Sequence, residues 1–242
     1  MSEGNPLTIL EMVGIHNEFT TMLKTLQNPT LRNVSKINID STRLVLLKKT
    51  LKDYLARMPK WKFAEIKKNS RISAHAKNKA MTKEFTSIYH MITTRKFQNI
   101  LITTPHALNQ SSNYKKYMLE LFGLHQPNKP LDSEVIEELK LLIHRLEIIE
   151  IDICFDSELP LNINALKCFG KQTFWFTTCY INNPIGLSYI TKICYYNKKA
   201  KDHLSKPCYR LELTCTTKGK IGELFIPYDE VMMVLNYCEI QY

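Results

Sequence analysis

Three short runs in the C-terminal half carry polar residues where a strand facing a core would be apolar. Glu147–Asp156 reads E-I-I-E-I-D-I-C-F-D. At the two-residue period of a strand, Ile149, Ile151, Ile153 and Phe155 share one face, and Glu150, Asp152 and Asp156 share the other with Cys154. In the run 190–198 the even positions group Lys192, Tyr196 and Lys198 opposite Ile193 and Tyr195. In the run 209–214, Arg210 and Glu212 oppose Tyr209, Leu211 and Leu213. If the three strands are neighbours with those faces aligned, carboxylates, a phenol, a lysine and an arginine meet on one sheet surface. Carboxylates such as Asp152, Asp156 and Glu212 are the ligands that a hard cation, Mg²⁺ or Mn²⁺, prefers, and such an ion polarises a phosphodiester. A phenol such as Tyr196 can attack phosphorus, and Lys198 or Arg210 can offset the charge that develops. The same alternation also fits the solvent-facing side of an ordinary antiparallel sheet with cross-strand Lys–Glu pairs. Periodicity leaves both readings open.

The ordered succession I-E-I-D-I-C-F-D (149–156), I-C-Y-Y-N-K (193–198) and Y-R-L-E-L (209–213) resembles rolling-circle replication initiators of the plasmid and filamentous-phage type, also called replication initiation factors. Those carry a V/I-D-x-A/C-x-D strand, an I-x-x-Y-D-K strand and an R-x-E-x strand in that order. The resemblance spans roughly residues 145–217 and implies a ferredoxin-like palm and a metal-dependent endonuclease. Such an enzyme nicks one strand at an origin and stays joined to it through a tyrosine. Carried over by position, Asp152 and Glu212 become metal or acid residues, Tyr196 and Lys198 fall on the Y-D-K motif, and Arg210 holds phosphate. Asn197 stands where that motif has Asp, and the seven histidines include no His-hydrophobic-His pair. A nucleophile on a helix after the sheet, as such enzymes have, points to Tyr228 or Tyr237.

The elements that must position these residues are legible in outline. Further strands are expected at 173–181, 188–198 and 208–216, with loops at 199–206 and 218–222 and a helix at 227–238 through Val231, Val234, Leu235 and Cys238. Asp132-Ser133 caps an amphipathic helix with Glu134, Glu137 and Glu138 in its first turns, where the helix dipole favours acids. Upstream, the spacing predicts helices over 6–26, over 40–58 from the capping signal Asp40-Ser41-Thr42, and within 105–123. Strand-like runs stand at 61–66 and 97–103. The run Gln126-Pro127-Asn128-Lys129-Pro130 reads as a linker. The expected architecture is therefore α+β: a basic, mainly helical region over 1–130, then an antiparallel sheet covered by helices over 131–242.

Charge narrows the partner. The 242 residues hold 33 Lys+Arg against 23 Asp+Glu, a formal +10. Residues 1–100 hold 18 basic and 7 acidic side chains, and residues 101–160 hold 5 and 10. A field of that sign suits a phosphate polymer, through counterion release and steering. A solvated lysine-rich surface is the alternative. The cations Lys62, Lys67, Lys68, Arg71, Lys77 and Lys79, interleaved with Trp61 and Phe63, suit a strand and loop lying on single-stranded or hairpin origin DNA, although the two aromatics fit a core-facing strand equally well. Self-association or a host helicase would complete such a machine. Only 7 glycines occur, and no G-x-x-x-x-G-K-[ST] or G-x-G-x-x-G run exists, which argues against an NTPase or dinucleotide enzyme. With no signal-like N-terminus, no long apolar run and no C-x-x-C pair, the expectation is a cytoplasmic protein that meets no membrane and keeps Cys154, Cys179, Cys194 and Cys215 as reduced core thiols. Three readings follow: a nickase, a catalytically silent DNA-binding protein, and a basic protein-interaction module.

Overall fold

A computed structural model describes residues 17, 18, 21, 24, 37–47, 61–65, 85–93, 100–105, 116–126, 147–219 and 224–238. Ten strands run through them: β1 Ile37–Leu47, β2 Trp61–Glu65, β3 Phe85–Thr93, β4 Ile100–Pro105, β5 Lys116–Phe122, β6 Glu147–Ser157, β7 Thr173–Trp175, β8 Thr178–Asn182, β9 Ile190–Asn197 and β10 Tyr209–Gly219. They form one sheet in the order β2-β3-β4-β5-β1-β6-β10-β9-β8-β7. Every pairing is antiparallel. A short 3₁₀ helix, Ala165–Phe169, and two α-helices, α1 Lys198–Asp202 and α2 Tyr228–Tyr237, accompany the sheet. The antiparallel α+β expectation holds for the described residues. The sheet is continuous from residues before 130 to residues after it, because β1 lies between β5 and β6.

Four local expectations are corrected. The helix expected from Asp40 is strand β1 as far as Leu47, and residues 48–58 lie outside the described residues. The apolar run Leu44-Val45-Leu46-Leu47 has no two-residue alternation, and period alone does not separate such a run from a helix; here its backbone pairs with β5 and β6. Within 105–123, Lys116–Phe122 is strand β5. The single strand expected at 173–181 is a hairpin, β7 and β8, turning at Phe176-Thr177. The loop at 199–206 begins as helix α1, capped by Asn197, whose Oδ1 accepts from Ala200 N at 2.9 Å. The helix expected at 6–26 is described only at 17, 18 and 21, which are helical, and at 24, a turn; the helix after Asp132 lies outside the described residues.

The core sits around β6, β10 and β9. Ile151, Ile153, Phe155, Leu211, Leu213, Cys215, Ile193 and Tyr195 are buried, on the face opposite Asp152, Glu212 and Tyr196. Helix α2 covers that apolar face with Val231, Val234 and Leu235, all fully buried. It is pinned by Glu230, whose carboxylate accepts from the backbone N–H groups of Ser188 (2.7 Å), Tyr189 (3.0 Å) and Ile190 (3.0 Å) at the entrance to β9. The tyrosine Tyr195 reaches out of the same face and accepts at its hydroxyl from Leu161 N at 3.1 Å. Cys154, Cys179, Cys194 and Cys215 are buried thiols. Among the described residues no helix is long and apolar enough to cross a membrane.

Candidate functional site

Register decides whether the three polar faces align. Residue Asp152 lies opposite Thr214, and Thr214 opposite Lys192. The next row on that face is Cys154, Glu212 and Cys194, and the third is Asp156, Arg210 and Tyr196. The strands β6, β10 and β9 are consecutive in the sheet, so the expected convergence of faces is present. Flanking strands lengthen the rows. Strand β1 sets Ser41 against Asp152 and Asn38 against Cys154, while β8 sets Tyr180 against Cys194.

Most of this face is shut away from water. Arg210, Tyr196 and Lys198 are 0%, 2% and 2% exposed. A guanidinium so placed needs partners for its donors, and it has them. Its Nε and Nη2 donate to the two oxygens of Asp156 at 2.6 and 2.7 Å. Its Nη1 donates to Asp40 Oδ1 at 2.9 Å and to the carbonyl of His125 at 3.0 Å. Asp40 reaches the arginine because it sits at a bulge, where the β1–β6 register shifts between Ile39 and Ser41. A second ring of bonds closes over the first. The Gln126 side chain donates to Asp40 at 3.3 Å and accepts from Lys198 Nζ at 3.2 Å, and Lys198 also pairs with Asp202 at 2.9 Å. Asn38 Nδ2 lies 3.1 Å from His125 Nδ1; if it donates there, the ring proton sits on Nε2, 3.2 Å from Asp156 Oδ2.

The titrations follow from these contacts. Burial resists ionisation of Asp156, but hydrogen bonds from Arg210 and His125, with the arginine charge, outweigh it and hold the carboxyl at about 2. Burial pushes Asp40 and Glu212 up; Arg210 only partly offsets this, the Asp152 charge raises both further, and Asp40 also raises Glu212. The Tyr196 hydroxyl donates to Glu212 Oε1 at 2.5 Å; burial and that carboxylate drive its pKa far above the ordinary phenol range. The Lys201 ammonium stands over the Tyr196 ring, 4.2 Å from its centre.

The three carboxylates expected to hold a metal do not meet at one point. Asp152 and Asp156 lie four residues apart on one strand, about 13 Å at the rise of an extended chain. Asp152 accepts from Ser41 Oγ and, at 2.6 Å, from Thr214 Oγ1. Glu212 is engaged by Tyr196 and Asp156 by Arg210. Among the described residues no three His, Cys, Asp or Glu side chains are grouped to hold an ion. These three residues, so arranged, do not fit a single divalent cation.

The expected tyrosines separate. Tyr196 belongs to the polar face. Tyr228 and Tyr237 belong to α2 on the opposite, apolar face; Tyr237 packs edge-on against Phe169 at 5.2 Å, and burial pushes Tyr228 up to about 12. Lys192 is half-buried in the first row, with Asp152 raising its pKa against the effect of burial. Lys62 lies in β2, and Lys67, Lys68, Arg71, Lys77 and Lys79 lie outside the described residues.

No protein family and no curated protein matches the sequence. Among solved structures, the rolling circle replication initiator protein from Geobacillus stearothermophilus matches with a TM-score of 0.42 and 12% identity, over 83% of this chain and 78% of that chain. What can be said of the site rests on this chain's own residues.

Four participants escape a reading of the sequence by strands. Asp40 resembles a helix cap, and His125 and Gln126 precede a linker-like run, so nothing local marks them as neighbours of Arg210. Tyr180 is hidden inside an aromatic strand. It is the half-buried phenol of the polar face: burial raises it, the Cys194 thiol adds to that, and Lys192 and Glu212 are both close enough to act on it.

Proposed function

We propose that this protein binds DNA as a replication initiator of a plasmid, phage or other mobile element, and nicks one strand through a tyrosine on the polar sheet face. The observation that supports this best is the alignment of three polar rows on β6, β10 and β9, from sequence runs in the order the resemblance expects. An excess of 33 basic over 23 acidic residues supports the choice of a polyanionic partner.

For nicking, a phenol oxygen attacks phosphorus and its proton passes to a carboxylate. The bond from phosphorus to the upstream sugar's 3′ oxygen breaks, and that oxygen takes up a proton to leave a free 3′-hydroxyl and a 5′-phosphotyrosyl link. Glu212 is the carboxylate at hand, Lys192 is the cation that can meet a phosphate oxygen, and Tyr180 is the half-buried phenol of the same face, hydrogen-bonded to Thr178. Tyr196 already donates to Glu212, but as nucleophile it would first have to leave a buried position beneath Lys201.

The test is incubation of the full chain with labelled single-stranded and hairpin DNA, with Mn²⁺ and with chelator, followed by a denaturing gel and peptide mapping. The expected result is a protein–DNA band that maps to Tyr180 and disappears in Tyr180→Phe. A band that persists in Tyr180→Phe and vanishes in Tyr196→Phe moves the nucleophile to Tyr196, and one mapping to Tyr228 or Tyr237 places the chemistry on α2. Salt-sensitive binding with no band leaves a non-cleaving DNA-binding protein, and absence of binding rejects the DNA reading.

A further inference from the structure

The edge of the sheet ends in three consecutive exposed aromatics. Phe174, Trp175 and Phe176 are 59%, 69% and 89% exposed at the tip of the β7–β8 hairpin. Other exposed rings have something to lean on: Tyr189 lies 4.8 Å from Phe225, and Tyr237 rests on Phe169. Trp175 and Phe176 touch each other edge-on at 5.6 Å and remain in water. Contiguous apolar surface of this kind marks an interaction site.

The turn makes the choice of residue more telling. The hairpin closes with Phe176-Thr177, and Phe176 takes φ 52. A two-residue turn with positive φ at its first central position is one that favours glycine there, because a side chain crowds the backbone. A bulky ring at that position contributes no burial and strains the turn. Among the described contacts of Phe176, only the edge-on approach to Trp175 stands against that strain.

The surroundings indicate what that contact is. No Asp or Glu occurs between Glu158 and Asp202, whereas Lys167, Lys171, Lys192, Lys198, Lys199 and Lys201 all fall in that stretch. The sequence that builds β7, β8, β9 and the 3₁₀ helix is thus free of carboxylates. Lys167 and Lys171, just before the hairpin, are exposed. Exposed aromatics in a stretch of chain that carries lysines and no acids suit bases that have left a duplex, with phosphates alongside. We infer that the β7–β8 tip is a base-stacking element for unpaired DNA, in which Trp175 and Phe176 receive bases and Lys167 and Lys171 receive phosphates. This rests on the DNA reading above and gives it a binding surface distinct from the polar rows.

The experiment compares fluorescence anisotropy of the full chain on a labelled oligothymidylate and on an oligomer of the same length whose sugars lack bases. Wild type is expected to prefer the first. The double variant Trp175→Ala, Phe176→Ala is expected to lose at least about tenfold in affinity for oligothymidylate and to bind the abasic strand as before. If both proteins bind the two strands equally, the DNA reading stands and the stacking tip is rejected; if wild type binds neither strand, both fall. A second variant, Phe176→Gly, suits the backbone of the turn. It is expected to unfold at no lower temperature than wild type while losing affinity for oligothymidylate, and a lower Tm overturns the view that this ring serves only an outside contact.

Discussion

Arg210 is the residue on which the polar face turns. Its guanidinium meets two carboxylates and a carbonyl while fully buried, so truncating it strands Asp156 and Asp40 without their cation. Arg210→Met is expected to lower unfolding stability by about 3–5 kcal/mol, the usual result of breaking one side of a buried ion pair, as read by urea denaturation. Asp156 gives the same cluster a pH signature. Its folded pKa of about 2 lies below the ordinary 3.8, so its contribution is fully present above about pH 4 and is lost as pH falls through 2. The loss expected on acidification across that window is about 2 kcal/mol, and Asp156→Asn should flatten that limb of the stability profile. Asp40 and Glu212 slope the other way: their raised values favour the neutral form, a contribution present below about pH 4 and lost as pH rises through their folded values. Tyr196→Phe leaves Glu212 buried without its donor. It should cost about 1–3 kcal/mol, read by urea denaturation, whether or not Tyr196 takes part in nicking.

The elements meet through particular anchors. Helix α2 holds the apolar face of the sheet and is tied to the start of β9 by the Glu230 carboxylate on the backbone N–H groups of 188–190. Glu230→Ala removes a charged acceptor from those amides, and a loss of about 1.5–3 kcal/mol is expected by chemical denaturation, with faster amide exchange at Tyr189 and Ile190. The pairing of β6 with β10 decides which residues face Arg210, and a one-residue slip of β6 would turn Asp152 and Asp156 into the apolar face, away from Glu212 and Arg210. Ile153→Ala, at a fully buried position between β1 and β10, should cost about 2–5 kcal/mol, because a cavity opens among close-packed neighbours.

Across the whole molecule the ten described strands make one sheet whose β7 end differs from its centre. The β7–β8–β9 end carries the aromatic tip in a stretch without carboxylates, while β1 and β6 at the centre contribute Asp40, Glu150, Asp152 and Asp156. DNA binding governed by the +10 excess should weaken steeply with salt, log K falling by about 0.7 per phosphate neutralised on a single strand. Replacing Lys167 and Lys171 by Gln should reduce that slope by about 1.4 in a titration of affinity against salt, if each meets one phosphate.

Alternation alone determined that β6, β9 and β10 are strands and which of their side chains share a face, because a strand with one apolar side must repeat every two residues. The order of those runs and the basic excess are likewise properties of the sequence, and they carried the resemblance and the DNA reading. Tertiary structure decided the rest. Asp40-Ser41-Thr42 looks like a cap, and only the pairing of β1 between β5 and β6 turns Asp40 into an arginine ligand. His125 and Gln126 reach the cluster because the chain after β5 folds back, with Leu124 N donating to Asp40 O at 2.8 Å. Whether polar side chains on aligned strands face water or one another depends on what lies above them. Period two cannot encode that covering: it comes from contacts between residues as distant as Asp40 and Arg210.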